Sequence, residues 1–318
     1  MTRSRPDAQC WTGRFGTGME YVSWGTGPRT VVWIPGGPGS ALPTGLMLRW
    51  VQGQLAPLVE AGFTVWVISR RRNMPAGHSV EDMAGDYAQV IAAEFGGKVD
   101  LVVGLSYGGI IAQYLAANHP QCFDHLALVF AACEVSTWGK DVDFRMALAL
   151  GSGDRSRAGQ VLAEYVMPGE RARRVRRLLG PILGRIGAGL LPTGSDVLVE
   201  GRAEVAFDSR AVLPQVSVPV LLIAAEQDAF FPRDLVEETS ELIGDCTLVW
   251  LAGVGHVRAA TSRRIAGHLL AFVNQTAHIT MRSSILDGRG PFGHAQPSGS
   301  QAQPERRQAR GEQRETKH

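Results

Sequence analysis

The stretch Val99-Asp100-Leu101-Val102-Val103-Gly104-Leu105-Ser106-Tyr107-Gly108-Gly109 decides how this chain of 318 residues is to be read. Before Leu105 it is a short apolar, β-branched run, the pattern of a buried strand. After Gly109, the apolar residues Ile110, Ile111, Tyr114 and Leu115 recur at helical spacing until Asn118-His119-Pro120, where proline ends the helix. Ser106 therefore falls at a tight turn between strand and helix, in the pattern G-x-S-x-G that presents a serine hydroxyl as a nucleophile. Gly104 and Gly108 have a steric reason to be there, because strand and helix approach too closely for a Cβ. A tight βα turn carrying an inert serine is the competing reading.

Outward from this turn, strands and helices alternate. Tyr21–Trp24, Thr30–Ile34, Phe63–Ile68 and Leu126–Phe130 read as strands, with helical patterns over Leu46–Glu60 and from Ser79 through Ile91. Ser79 followed three residues later by Asp82 is an N-cap signal. The alternation stops at Glu134 and resumes with strands over Val218–Ala224 and Thr247–Leu251 and helices over Leu235–Ile243 and Arg258–Val273. Such alternation predicts an α/β fold with a doubly wound, mostly parallel sheet. The core takes in residues 1–133 and 214–275, and a helical cap of residues 134–213 lies over the carboxyl edge of the sheet, where open α/β folds bind ligands. From residue 276 the chain reads as a disordered tail, rich in Gln, Arg, Gly, Pro and Ser beyond Gly288.

A serine hydroxyl needs a base. Of the eight histidines, His256 follows the last strand in Gly253-Val254-Gly255-His256, where small residues let a loop turn back over the sheet edge. His78 is the second candidate. The imidazole in turn needs a carboxylate. Asp228 follows the strand ending at Ala224, and the order Ser, Asp, His goes with a G-x-S-x-G elbow; a turn-capping aspartate is its plainer reading, and Glu134 and Glu226 are alternative acids. Two backbone N–H groups must meet the developing oxyanion. Tyr107 N–H is one, and Gly37 N–H, in the loop Pro35-Gly36-Gly37-Pro38-Gly39 after the strand Thr30–Ile34, is the other.

Gly36-Gly37-Pro38-Gly39, the elbow Gly104–Gly109, Asp228 and Gly255-His256 together resemble the α/β-hydrolase-fold serine hydrolases, over roughly residues 19–275. The resemblance implies an acyl-enzyme on Ser106 and catalysis by Ser106, Asp228 and His256 without metal or cofactor. Pro35 stands where the family often has histidine. The glycine loop is similar to that of the prolyl aminopeptidase branch, although Tyr107 replaces the tryptophan typical there. An aminopeptidase would want cap carboxylates for a substrate ammonium; Glu164, Glu170, Glu200 and Glu204 are available but not visibly clustered.

The cap also holds Arg171, Arg173, Arg174, Arg176 and Arg177, beside the apolar Ile182, Leu183, Ile186 and Leu190. This is either a solvated helix covering the site or a surface that attracts anionic substrates or docks on lipid. The formal net charge is only +2, and residues 282–318, with seven basic and four acidic side chains, hold more than all of it. A nucleic-acid partner is not expected. No apolar run suits a membrane span, the N-terminus has no secretory pattern, and the four cysteines show no CxxC or metal-ligand spacing, so a cytoplasmic protein without cofactor is expected. The function this predicts is hydrolysis of a small carboxylic ester. Proline-amide hydrolysis, acyl transfer and ligand binding without catalysis are the alternatives, and oligomeric state is not legible.

Overall fold

A run such as Val-Asp-Leu-Val-Val can be buried on both faces only if helices cover both sides of its sheet. The computed structural model has that arrangement, and it describes residues 9–39, 41–169, 172, 174–176 and 195–286. Eight strands form one sheet: β1 (Cys10–Arg14), β2 (Glu20–Trp24), β3 (Arg29–Ile34), β4 (Phe63–Ile68), β5 (Val99–Leu105), β6 (Phe123–Val129), β7 (Val220–Ala225) and β8 (Cys246–Leu251). Their spatial order is β1-β2-β4-β3-β5-β6-β7-β8. The first two are antiparallel to their neighbours and the rest are parallel.

One face is covered by α1 (Gly45–Glu60) and the last helix, through Leu55, Leu58, Leu269 and Phe272. The other is covered by α2 (Val80–Glu94) and α3 (Tyr107–Asn118), through Met83, Tyr87, Ile110 and Ile111. Ser79 and Asp82 close a reciprocal capping box at the start of α2, as the spacing suggests. Between β6 and β7 lie α4 (Thr137–Gly151), α5 (Arg155–Val166) and α6 (Ser195–Val205). They share a small core of Val142, Met146, Leu150, Val161 and Val197. After β7 come α7 (Arg233–Leu242), α8 (His256–Ala260) and α9 (Arg264–Leu286).

Three features differ from the sequence reading. β1 was not expected: it is a short, mostly exposed edge strand with no apolar alternation to reveal it. The single helix expected from Arg258 is two, α8 and α9, so His256 opens a helix of its own. The helix also continues past residue 275, since nothing from Thr276 to Leu286 is Gly or Pro. The remaining expected tail, 287–318, lies outside the described residues, as do most residues of the basic run. Among the described residues no helix is long and apolar enough to cross a membrane.

Candidate active site

β5 ends at Leu105 and α3 begins at Tyr107, leaving Ser106 alone to turn the chain. Ser106 adopts φ 52° and ψ −114°, a conformation that costs an L-residue about 1–3 kcal/mol and persists only where the surroundings enforce it. They do so here: Ser106 N–H donates to Val129 O (2.8 Å), and Ser106 O accepts from Gly109 N–H (2.7 Å). The two elbow glycines are sterically required. A Cβ on Gly104 would lie 2.5 Å from Gly108 O, and one on Gly108 would overlap the Ile34 carbonyl of the neighbouring strand.

The three predicted side chains meet. Ser106 Oγ is 2.9 Å from His256 Nε2, and His256 Nδ1 is 2.6 Å from Asp228 Oδ2. Asp228 is buried, and its other oxygen accepts the N–H groups of Phe230 (2.9 Å) and Phe231 (3.2 Å). The capping and histidine-orienting readings of Asp228 are thus both realised, one on each oxygen. That turn aims Phe230 and Phe231 at the imidazole, at centroid distances of 4.8 and 5.8 Å.

The other candidates are occupied elsewhere. Glu134 pairs with Lys140 and Arg210, Glu226 accepts Gly253 N–H, and His78 pairs with Asp86. Tyr107 N–H opens α3 and has no intrahelical acceptor. Gly37 N–H is bonded to no described residue. The Pro35–Gly39 loop lies hard against the elbow, since a Cβ on Gly36 would come within 3.0 Å of Ser106 Cβ. Ser106, His256, Gly37 and Tyr107 all line one cavity of about 560 Å³.

The far wall of that cavity is built by α4 and α6, and sequence reasoning missed most of it. Asp143 of α4 accepts the hydroxyl of Tyr165 and lies beside Glu204 of α6, and all three line the cavity. Burial, opposed by hydrogen bonds from Tyr165 and Glu204, pushes the Asp143 carboxyl up to about 6. Burial and the adjacent Asp143 charge raise Glu204 well above the carboxylate range, so the pair retains a proton that isolated carboxyls would lose. Glu200, one turn before Glu204, is instead paired with the buried Arg70 (2.7 Å). Glu164 is tied to Arg145, and Glu170 lies outside the described residues. The spacing of four between Glu200 and Glu204, which puts both on one helix face, was the available signal. Of the basic run, Arg171, Arg173 and Arg177 are outside the described residues. Arg176 donates to the carbonyls of Met167 (2.7 Å) and Gly169 (2.6 Å).

Comparison with known proteins agrees with this architecture. A protein of Variovorax paradoxus named "Putative carbamate hydrolase RutD" is 27% identical over 225 residues, 67% of this chain and 82% of that protein. The pimeloyl-[acyl-carrier protein] methyl ester esterase of Neisseria meningitidis is 27% identical over 175 residues, 53% of this chain and 66% of its own length. Among solved structures, a hydrolase from Pseudomonas aeruginosa superposes with a TM-score of 0.65 at 21% identity, covering 84% of this chain and 99% of the other. An esterase from Exiguobacterium antarcticum gives 0.63 at 19% identity, covering 83% and 98%. The sequence profile of the alpha/beta hydrolase family matches residues 31–267, from β3 into α9, and the chain belongs to that family.

Proposed function

We propose that the protein is a serine hydrolase acting on a small carboxylic ester through an acyl-enzyme. The observation that carries this reading is the unbroken relay from Asp228 through His256 to Ser106, with contacts of 2.6 and 2.9 Å. In this reading Ser106 Oγ attacks the ester carbonyl while His256 Nε2 takes its proton. Asp228, held by two backbone donors, fixes the imidazole tautomer and stabilises the imidazolium. The carbonyl oxygen becomes an oxyanion facing Gly37 N–H and Tyr107 N–H. Collapse expels the alcohol, which leaves with the proton from His256. A water, deprotonated by the same imidazole, then releases the acid and restores the Ser106 hydroxyl.

The helices of residues 134–213 act as the cap, walling the cavity opposite Ser106 and limiting the size of the acyl group. Support for an ester comes from the largely apolar lining, with Trp33, Met47, Trp50 and Val197 on it, and from the esterase name carried by one relative. A second reading has its own observation. Asp143 and Glu204 lie side by side on the wall of the same cavity, and such a carboxyl pair suits an ammonium group, as a proline-amide hydrolase would need. The deciding experiment is fluorophosphonate labelling followed by matched p-nitrophenyl esters and proline amides. Labelling at Ser106 with ester turnover is expected. A wild-type protein that is neither labelled nor active on esters would overturn the reading, and a dominant proline-amide activity would promote the second.

A further inference from the structure

Arg70 follows β4 with its side chain 1% exposed, and the catalytic reading gives it no task. Its guanidinium spends its donors in an ordered way. Nη1 donates to Pro35 O (2.9 Å), Nη2 to Gly37 O (2.6 Å), and Nε to Glu200 Oε1 of α6 (2.7 Å). The plane also lies over the Tyr107 ring at 4.5 Å, and the Tyr107 hydroxyl donates to Glu200 O (2.9 Å). Glu200 Oε2 accepts Gly39 N–H, and Arg72 holds Gly39 O at 2.9 Å. The same post-β4 segment docks the start of α6, because Asn73 and Met74 N–H both donate to Asp196.

The two carbonyls on Arg70 belong to the peptides on either side of the Gly36–Gly37 peptide. That middle peptide carries the Gly37 N–H. It joins two residues without Cβ, and Gly37 has φ +71°. Nothing intrinsic to a Gly-Gly unit resists rotation of its N–H away from the cavity. A planar five-donor fork can fix both flanking carbonyls at once, and a point charge such as an ammonium cannot.

We propose that Arg70 is a positioning residue of the oxyanion site: it clamps the Pro35 and Gly37 carbonyls so that the Gly37 N–H between them faces the reacting carbonyl, and Glu200 makes the clamp depend on α6 being docked. This inference rests on the ester-hydrolase reading above.

Arg70→Lys is the sharpest test, because lysine retains the ion pair with Glu200 and loses the fork. With p-nitrophenyl acetate, kcat is expected to fall roughly 10²-fold while KM stays within about threefold, the size of effect seen when an oxyanion donor is lost. The preference for an oxo-ester over its thionoester should shrink as well, since a sulfur anion draws less from the missing N–H. Glu200→Gln, which keeps the shape and Arg70 in place, should lose roughly tenfold in kcat. Hydrogen exchange of the Gly39 N–H, which is held by Glu200 and whose readout requires no catalysis, should accelerate in both variants. A purely structural ion pair predicts a wild-type kcat in Arg70→Lys. That result, or unchanged exchange at Gly39, overturns the clamp. If Arg70→Lys fails to fold, Glu200→Gln decides by the same measurements. An inert wild-type protein whose variants still show faster exchange would overturn the ester reading and leave the clamp standing.

Discussion

The two walls of the cavity are built on different principles. On the sheet side, Ser106 and Asp228 sit at the ends of β5 and β7 and are fixed by hydrogen bonds with the backbone, and the Pro35–Gly39 loop after β3 is held by the side chains of Arg70, Arg72 and Glu200. On the helical side, Asp143, Glu200 and Glu204 project from α4 and α6, and side-chain partners fix them: Tyr165 and each other, or Arg70. Strand ends in a close-packed sheet leave one position for each atom, which suits groups that must meet a reacting carbon within a fraction of an ångström. Helix-borne carboxyls held by other side chains are placed less rigidly but can discriminate charge. Chemistry is thus expected from the first wall and selectivity from the second.

The largest effect should come from the first wall. Ser106→Ala is expected to abolish fluorophosphonate labelling and to lower kcat by about 10⁶, with the melting temperature close to wild type, because alanine keeps the same strained backbone. Full labelling of that variant at another residue would relocate the chemistry and end the contrast. Asp228→Asn should follow at about 10⁴ in kcat, because an amide can donate to Nδ1 and favour the wrong tautomer. The backbone bonds from Phe230 and Phe231 to Oδ1 can survive the change, so the loss should appear without unfolding in circular dichroism. A near-wild-type Asp228→Asn would leave the buried carboxylate as a turn cap alone.

How far each wall is legible in the sequence follows from the same difference. Gly104, Ser106 and Gly108 lie within five residues, and their jobs are local, so the pattern itself reports the close approach. Asp228 and His256 each come directly after a readable strand, and chain order does the rest. Asp143 gave no such signal. It stands among Val142, Met146 and Ala147 on a helix whose inward face depends on how α4 and α6 pack, and Tyr165 arrives from a third helix. Arg70 sits in Arg70-Arg71-Arg72, three like residues of which the first is buried and the others reach solvent. Only the three-dimensional path after β4 distinguishes them.

The second wall should affect selectivity by a smaller factor and make it depend on pH. Glu204→Gln is expected to shift the ratio of kcat/KM for a proline amide to that for a matched neutral ester by about tenfold toward the ester, the weight of one charge-assisted hydrogen bond. Stability should respond in parallel. Asp143 is raised from an ordinary 3.8 to about 6, so the folded chain keeps a proton that the unfolded chain releases between those values. Its contribution to stability is complete below the lower value and is lost as pH rises through the upper one. In Asp143→Asn that loss should vanish, and the melting temperature should fall less than in wild type between pH 4.5 and 7. Identical pH profiles for the two proteins would show that the proton is not held where the burial of Asp143 puts it.

The smallest effect concerns the basic run, where the contrast between the walls makes its most limited claim. A cationic rim would draw anionic esters, and rates on them would then fall with salt, since screening at physiological ionic strength acts over about 8 Å. Yet the described inner wall presents Asp143 and Glu204 to such a substrate, and Arg176 is engaged with the carbonyls of Met167 and Gly169 just beyond α5. Its charge is spent on these two carbonyls, of which Gly169 O also accepts Ala172 N–H. Arg176→Glu should accordingly lower the melting temperature by about 2–4 °C, the equivalent of roughly 1 kcal/mol in a chain of this size. It should leave kcat/KM on a neutral ester unchanged, and the salt dependence of an anionic ester within about twofold of wild type. Measuring both esters at two salt concentrations separates the outcomes. If the variant loses a steep salt dependence that the wild type shows, Arg176 serves the incoming substrate, and selectivity begins at the rim and not at the carboxyl wall.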